Sequence, residues 1–165
     1  MKRTSAVRRH DHWGPHGSRG VAAVEFAITA PLLIFAMLAT AEVGRAFVHY
    51  DTLSYSIRNS ARFVTEHSIN GTTGVVEISG PVTTQAKNLA VYGNVTGPGG
   101  GKAILPGFLT NQVTVVDAGN DNIRVTAAYP YQPMLGAVLP TFGFGSGSIP
   151  LGFTMRIAVT MRAIS

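Results

Sequence analysis

The sequence predicts an α+β protein in which a long N-terminal helix, first apolar and then amphipathic, lies on a small antiparallel sheet. Three observations predict it. Val21 to Ala41 holds twenty-one residues with no Lys or Arg and a single charge, Glu25. From Val43 to Val64 the apolar positions return at alternating spacings of 4 and 3, the signature of one helix face. From Leu151 to Met161 they return at every second residue, the signature of a strand with one buried face.

The first of these is long enough to cross a bilayer. Twenty-one helical residues at about 1.5 Å each span about 31 Å, against a hydrocarbon core of roughly 30 Å. The head before it is basic: Lys2, Arg3, Arg8, Arg9 and Arg19 stand against Asp11. That is +4 of the chain's net +5, which leaves +1 for everything after residue 20. By the positive-inside rule the N-terminus stays in the cytoplasm and Glu42 onward lies outside. The later cations are scattered singly among acids, so no stripe able to follow a phosphate backbone forms and no nucleic-acid partner is expected. Glycine and proline, 19 and 9 of 165 residues, stay below the level at which disorder becomes the default, and there is no cysteine. A disulfide framework, thiolate zinc, iron–sulfur clusters and thiol catalysis are therefore excluded.

Two residues set the apolar segment apart from a plain anchor. Glu25 places a carboxylate about one turn into the run, where it either sits near the interface, snorkelling or taking up a proton, or serves a partner. Pro31 removes one backbone hydrogen bond mid-run and predicts a helix kink.

Beyond the membrane the helix continues. Val43, Phe47, Tyr50, Ser54, Ile57, Ala61 and Val64 share a face, with Glu42, Arg45, Arg58, Arg62 and Glu66 off it, and Ile69-Asn70-Gly71 supplies a stop. A helix from Val21 to His67 would measure about 70 Å, far more than one small domain covers, so it divides into a membrane part and an amphipathic part. The seven-residue stripe is short for an intersubunit coiled coil and is expected to pack on the chain's own sheet. The divisions predicted are a basic head over 1–20, a membrane segment over 21–41, an amphipathic continuation over 42–67 and a small α+β domain over 68–165.

In that last domain Val75–Ser79 reads as a short strand, and Thr83–Tyr92 as a helix with threonines at its start and Gly93-Asn94 at its end. Gln112–Val116 and Asn122–Ala127 are β-rich runs separated by Asp117-Ala118-Gly119-Asn120-Asp121, a hairpin pattern. The final strand, with Leu151, Phe153, Met155, Ile157, Val159 and Met161 inward, is expected to pack on the amphipathic helix. Gly97–Gly101 and Gly143–Gly147 read as flexible loops. A phosphate-binding loop before Lys102 would need glycine where Thr96 stands and Ser or Thr where Ala103 stands.

No catalytic set emerges, and neither a cofactor nor a metal is expected. His10, His12 and His16, with Asp11, lie in the basic head, where a flexible tail offers no preformed metal site. His49 and His67 have no nearby carboxylate pattern, and Gly-x-Ser-x-Gly is absent.

A resemblance sharpens these readings. Ser18-Arg19-Gly20 followed by Val21-Ala22-Ala23-Val24-Glu25-Phe26 resembles a prepilin cleavage site: a basic leader, a glycine, four mostly apolar residues and a glutamate. The ordered blocks Val24-Glu25-Phe26-Ala27, Pro31-Leu32-Leu33, Glu42-x-Gly44-Arg45 and Ser60-Ala61-Arg62-Phe63 resemble the TadE-like pseudopilins of the tight-adherence (Flp) pilus system. Ile123-Arg124-Val125-Thr126 into Tyr129-Pro130, and Met161-Arg162, are similar to that family's final strands, whereas residues 68–110 add little.

The resemblance implies a pilin-like fold and a structural role as a minor pilin or pseudopilin, not an enzyme. It implies cleavage between Gly20 and Val21 by a prepilin peptidase, and Glu25 as the carboxylate that serves assembly. After cleavage the new ammonium at Val21 lies about one helical turn from Glu25, in pairing range of its own or a neighbouring subunit's carboxylate. Implied partners are the peptidase, other pilin or pseudopilin subunits, the assembly machinery and inner-membrane lipid. Two other classes compete: a secreted or periplasmic binding protein cut after Ala39-Thr40-Ala41, before Glu42, with Arg8-Arg9 as a twin-arginine feature, and an uncleaved single-pass anchor.

Overall fold

The computed structural model describes residues 17–69, 76–99, 101–134, 136, 138–140 and 148–163. The basic head up to residue 16, with its three histidines, lies outside the described residues, as do Val75, Gly100 and residues 141–147. Helix α1 runs Gly17–His67 and α2 Gly80–Tyr92; then come strands β1 (Val113–Gly119), β2 (Asn122–Pro130), β3 (Val138–Pro140), β4 (Ser148–Pro150) and β5 (Thr154–Arg162). The chain divides into two compact units, Met1–Ala39 and Thr40–Ser165.

In the first unit α1 runs through Pro31 without ending. Its large apolar side chains are exposed all round: Val21, Val24, Phe26, Ile28, Leu32, Leu33, Ile34 and Met37. A helix apolar on every side needs an apolar surround, which water does not give. By length and composition α1 carries a stretch able to cross a membrane.

The second unit is α+β, as the sequence predicts. β1, β2 and β5 form an antiparallel sheet in the order β1-β2-β5, and β3 and β4 form a separate antiparallel pair. The sheet's inner face and α1 share one core that holds Leu53, Ile57, Ala61 and Val64 with Ile123, Val125, Ala127, Tyr129, Met155 and Ile157. α2 contributes Ala86, Ala90 and Val91 to it. Ser60 lies fully buried beneath α2, and its hydroxyl donates to the Ala86 carbonyl at 2.8 Å.

Local chemistry explains the boundaries. α2 begins earlier than Thr83 because Ser79 caps it, its Oγ accepting from the Val82 N–H, and Pro81 fits the first turn, where no backbone donor is missed. It ends at Gly93, whose φ of 71° is left-handed and whose N–H donates to the Leu89 carbonyl. The hairpin turn is tighter than the five-residue spacer implies. Asn120 and Asp121 take φ of 53° and 60°, the left-handed pair of a type I′ turn, while a bulge between Asp117 and Gly119 absorbs the remaining residue. The strand expected at 75–79 reduces, among the described residues, to an isolated Ile69–Val76 bridge with the Glu77 N–H donating to the Ser68 carbonyl.

β5 starts at Thr154, later than the run from Leu151 implies, and Phe153, expected inward, is 52% exposed because it precedes the strand; within β5 the alternation holds. Met155 and Ile157 are buried, and Val159 and Met161 are half-buried against the core. The helix stripe is correct only in its second half. Ile57, Ala61 and Val64 are fully buried, but Val43, Phe47 and Tyr50 are 56, 67 and 47% exposed. The face turned inward there carries Glu42, Ala46, His49 and Leu53, one residue round the helix from the expected one.

Candidate functional site

The residues singled out by sequence all fall on α1, in two groups. In the first unit Gly20, Val21, Glu25, Phe26 and Pro31 are exposed. A Cβ built on Gly20 meets nothing within 4 Å, so no packing demands glycine there. The Gly20–Val21 bond lies in the first turn or so of α1, which begins at Gly17. Backbone N–H groups of a first turn have no intrahelical acceptor, so opening this segment costs few hydrogen bonds. The Thr29 hydroxyl donates to the Glu25 carbonyl at 2.9 Å and leaves the Glu25 carboxylate unengaged by that contact.

The second group is built into the Thr40–Ser165 unit. Glu42 is 8% exposed, and its carboxylate receives two donors from the loop that follows β2. The Tyr131 hydroxyl donates to Glu42 Oε1. The Met134 N–H is shared between Oε1 at 3.3 Å and Oε2 at 3.2 Å. Arg45, one turn on, stands 3.8 Å from Oε1, donates to the Gln132 carbonyl at 3.3 Å and lies over the Tyr131 ring. His49 closes the cluster edge-on to Tyr131, with ring centroids 5.5 Å apart, and tilted against Tyr129 at 6.1 Å. Its Nδ1 is buried with no hydrogen-bond partner among the described residues. The Tyr129 hydroxyl donates to the Pro106 carbonyl at 2.9 Å, and its ring meets Phe108 edge-on.

Glu42 and Arg45 are thus a latch that fastens α1 to the chain leaving the sheet. Gly44, between them, is exposed, and a side chain there would meet nothing within 4 Å, so the monomer fold does not explain its glycine. Ala61 is fully buried in the core, and Arg62 is an exposed cation paired with Glu66 at 3.0 Å. Sequence reasoning missed Tyr131 and Met134, and it set His49 aside as lacking a nearby carboxylate, whereas the fold puts His49 in the cluster with Glu42. The only available signal was that His49 follows Glu42 by seven residues, two helical turns on the same face.

The latch has an electrostatic signature. Burial, and then the hydrogen bond to Glu42, push the Tyr131 hydroxyl up to about 12. Burial also raises Tyr129 above its ordinary 10, against the opposing pull of Arg45. In the unfolded chain both phenols ionise near pH 10, so the unfolded state holds fewer protons than the folded one above that pH. Stability contributed by the neutral phenols is complete below pH 10 and lost as pH rises from about 10 to about 12. Unfolding followed by far-ultraviolet circular dichroism should show this loss, and Tyr131→Phe should flatten it while leaving the smaller Tyr129 part.

The described features define a class: an α+β unit built on the later part of a helix whose earlier part is apolar enough to cross a membrane. Residues 20–62 match the family model described as TadE-like protein, which takes in Gly20, Glu25, Pro31, the latch pair Glu42 and Arg45, and Ala61-Arg62. The family is one of structural pilus components rather than enzymes, and its members associate with other components of the Tad pilus. No curated protein and no solved structure matches the chain. Among the described residues no group of three or more His, Asp or Glu is placed to hold a metal ion.

Proposed function

We propose that the protein is a minor pilin or pseudopilin of a Flp-type pilus, held in the inner membrane by Val21–Ala41 with its N-terminus in the cytoplasm. A prepilin peptidase trims it between Gly20 and Val21, and it then joins other pilin subunits. The observation that carries this reading is the family match over 20–62 on a helix whose first unit exposes Val21, Val24, Phe26, Ile28, Leu32, Leu33, Ile34 and Met37. That surface has two natural surrounds, lipid before assembly and neighbouring helices after it. Cleavage after Gly20 would leave an ammonium at Val21 about one helical turn from Glu25, which is exposed on the same surface, and this supports a pairing role for the carboxylate.

The alternative, a signal-peptidase cut before Glu42, would make the latch carboxylate the first residue of the mature chain and remove every helical residue before it. Terminal peptide and intact-mass spectrometry of the protein recovered from membranes tests the reading. A start at Val21 supports it, and a start at Glu42 removes it. Glu25→Ala should be processed normally yet leave cells with few or no pili; normal piliation in that strain would sink the assembly role.

A further inference from the structure

The open edge of β5 lies beside an apolar groove, and the two together have the form of a docking site for an extended strand. The hydrogen-bonding direction of β5 follows from two bonds. The Tyr131 N–H donates to the Phe153 carbonyl at 2.9 Å, and the Ala163 N–H to the Asp121 carbonyl at 2.7 Å. Both fit the β2–β5 register, in which Tyr129 faces Met155 and Ile123 faces Met161. In an antiparallel ladder bonded pairs alternate, so Met155, Ile157, Val159 and Met161 bond to β2. The N–H and C=O groups of Thr154, Arg156, Ala158, Thr160 and Arg162 therefore point away from β2. Among the described residues no strand pairs with that side: the sheet order ends at β5, and β3 and β4 pair with each other. A nine-residue edge without proline is long to leave open, since such a row is a template for another strand.

Beside this edge is a groove of about 390 Å³ lined by Val43, Ala46, Phe47, Tyr50, Phe153 and Met155. Its helix side is the displaced half of the amphipathic stripe, and Phe153 opposite is 52% exposed. A strand added to β5 would send alternate side chains to the face Met155 occupies, into this groove. The intervening side chains would lie on the outer face with Arg156 and Arg162. That outer face is cationic: Arg124, Arg156 and Arg162 are exposed there, and the acidic partner within reach is Asp121, 3.7 Å from Arg162.

We infer that the β5 edge and this groove bind an extended segment of another protein, apolar at alternate residues and acidic between them. A second copy offering its own β5 fits poorly. Antiparallel self-pairing places a two-fold axis normal to the sheet, which turns the partner's α1 end for end, whereas both copies would enter one membrane from the same side. This exclusion rests on the membrane orientation proposed above; the edge and the groove do not.

The test uses the full chain in nanodiscs and a labelled nine-residue peptide alternating valine with glutamate, read by fluorescence anisotropy. Saturable binding is expected, at least about tenfold weaker for a peptide N-methylated on the residues facing β5, because the backbone bonds are then lost on one side only. Phe47→Asp, at a site 67% exposed, should weaken it similarly without unfolding the domain. A block peptide with its valines and glutamates separated should bind no better than the N-methylated one. Absence of saturable binding, or equal binding of the N-methylated or block peptide, overturns the proposal. So does a dimer seen by sedimentation that Ala158→Pro dissolves, which would assign the edge to a second copy. The readout does not depend on where the mature N-terminus falls, so failure here and failure of the pilin reading are distinguishable.

Discussion

Glu42→Ala should lower the thermal midpoint of the Thr40–Ser165 unit by roughly 10 °C. The substitution deletes the acceptor for the Tyr131 hydroxyl and the Met134 N–H and strips Arg45 of its nearest anion. Tyr131 is 4% exposed, so its hydroxyl is left in a site that water reaches poorly. Removing one member of a buried charged network typically costs about 3 kcal/mol, and for a domain of this size each kcal/mol moves the midpoint by about 3–4 °C. Tyr131→Phe leaves the carboxylate its other two contacts and should cost about 1–2 kcal/mol. The double variant should cost less than the sum of the singles, since each removes the same bond. Differential scanning calorimetry of the four proteins closes the cycle; additive losses would mean that the two residues act separately.

The other large effect concerns maturation. If the chain is processed as proposed above, Gly20→Val should abolish removal of the leader and leave the domain's stability unchanged. The separation of the two outcomes follows from geometry: the glycine is exposed, and a Cβ there meets nothing within 4 Å. An effect of the side chain on the proposed cleavage would therefore arise at the peptidase, where a glycine lets another backbone approach closely. Mass spectrometry of the membrane-bound protein reads the leader, and calorimetry reads the fold. Full processing of Gly20→Val would remove the cleavage assignment, and a lowered midpoint would place Gly20 in the fold instead.

Some of this architecture is legible in the amino-acid sequence. From Met155 to Met161 the alternation predicted which side of β5 faces the core, because a pleat forces side chains to opposite sides and burial then selects the apolar set; it extended two positions too early, to Leu151 and Phe153. Gly93 marked the end of α2 for a comparably local reason. The hairpin was visible, but its turn was placed too broadly, since nothing in Asp117-Ala118-Gly119 announces that a bulge keeps those residues in the strand. The latch was the least legible part. Glu42 and His49 face inward while Val43, Phe47 and Tyr50 face out, the reverse of what hydrophobic periodicity selects. Periodicity measures the cost of burying a polar group in hydrocarbon. It does not register that Tyr131, Met134 and Arg45 lie in wait for this one, because those partners come from nearly ninety residues further along the chain or from the helix's polar side. The blocks that resembled a known family, Glu42-x-Gly44-Arg45 among them, marked the place without giving the reason.

The wide separation of the latch partners also sets a schedule. Glu42 leaves the ribosome 89 residues ahead of the tyrosine that will hold it and 92 ahead of the Met134 amide. At synthesis rates of about 5–20 residues per second, that is an interval of roughly 4–18 s in which the helix exists without the sheet that completes it. In the membrane orientation proposed above, a segment carrying an acid, an arginine and a histidine follows the apolar run during this interval, before its partners exist. An all-apolar face there would favour a longer embedded helix, whereas a polar face favours water. In that reading the carboxylate that later fastens the domain also sets, while the chain is still being made, where the membrane segment stops.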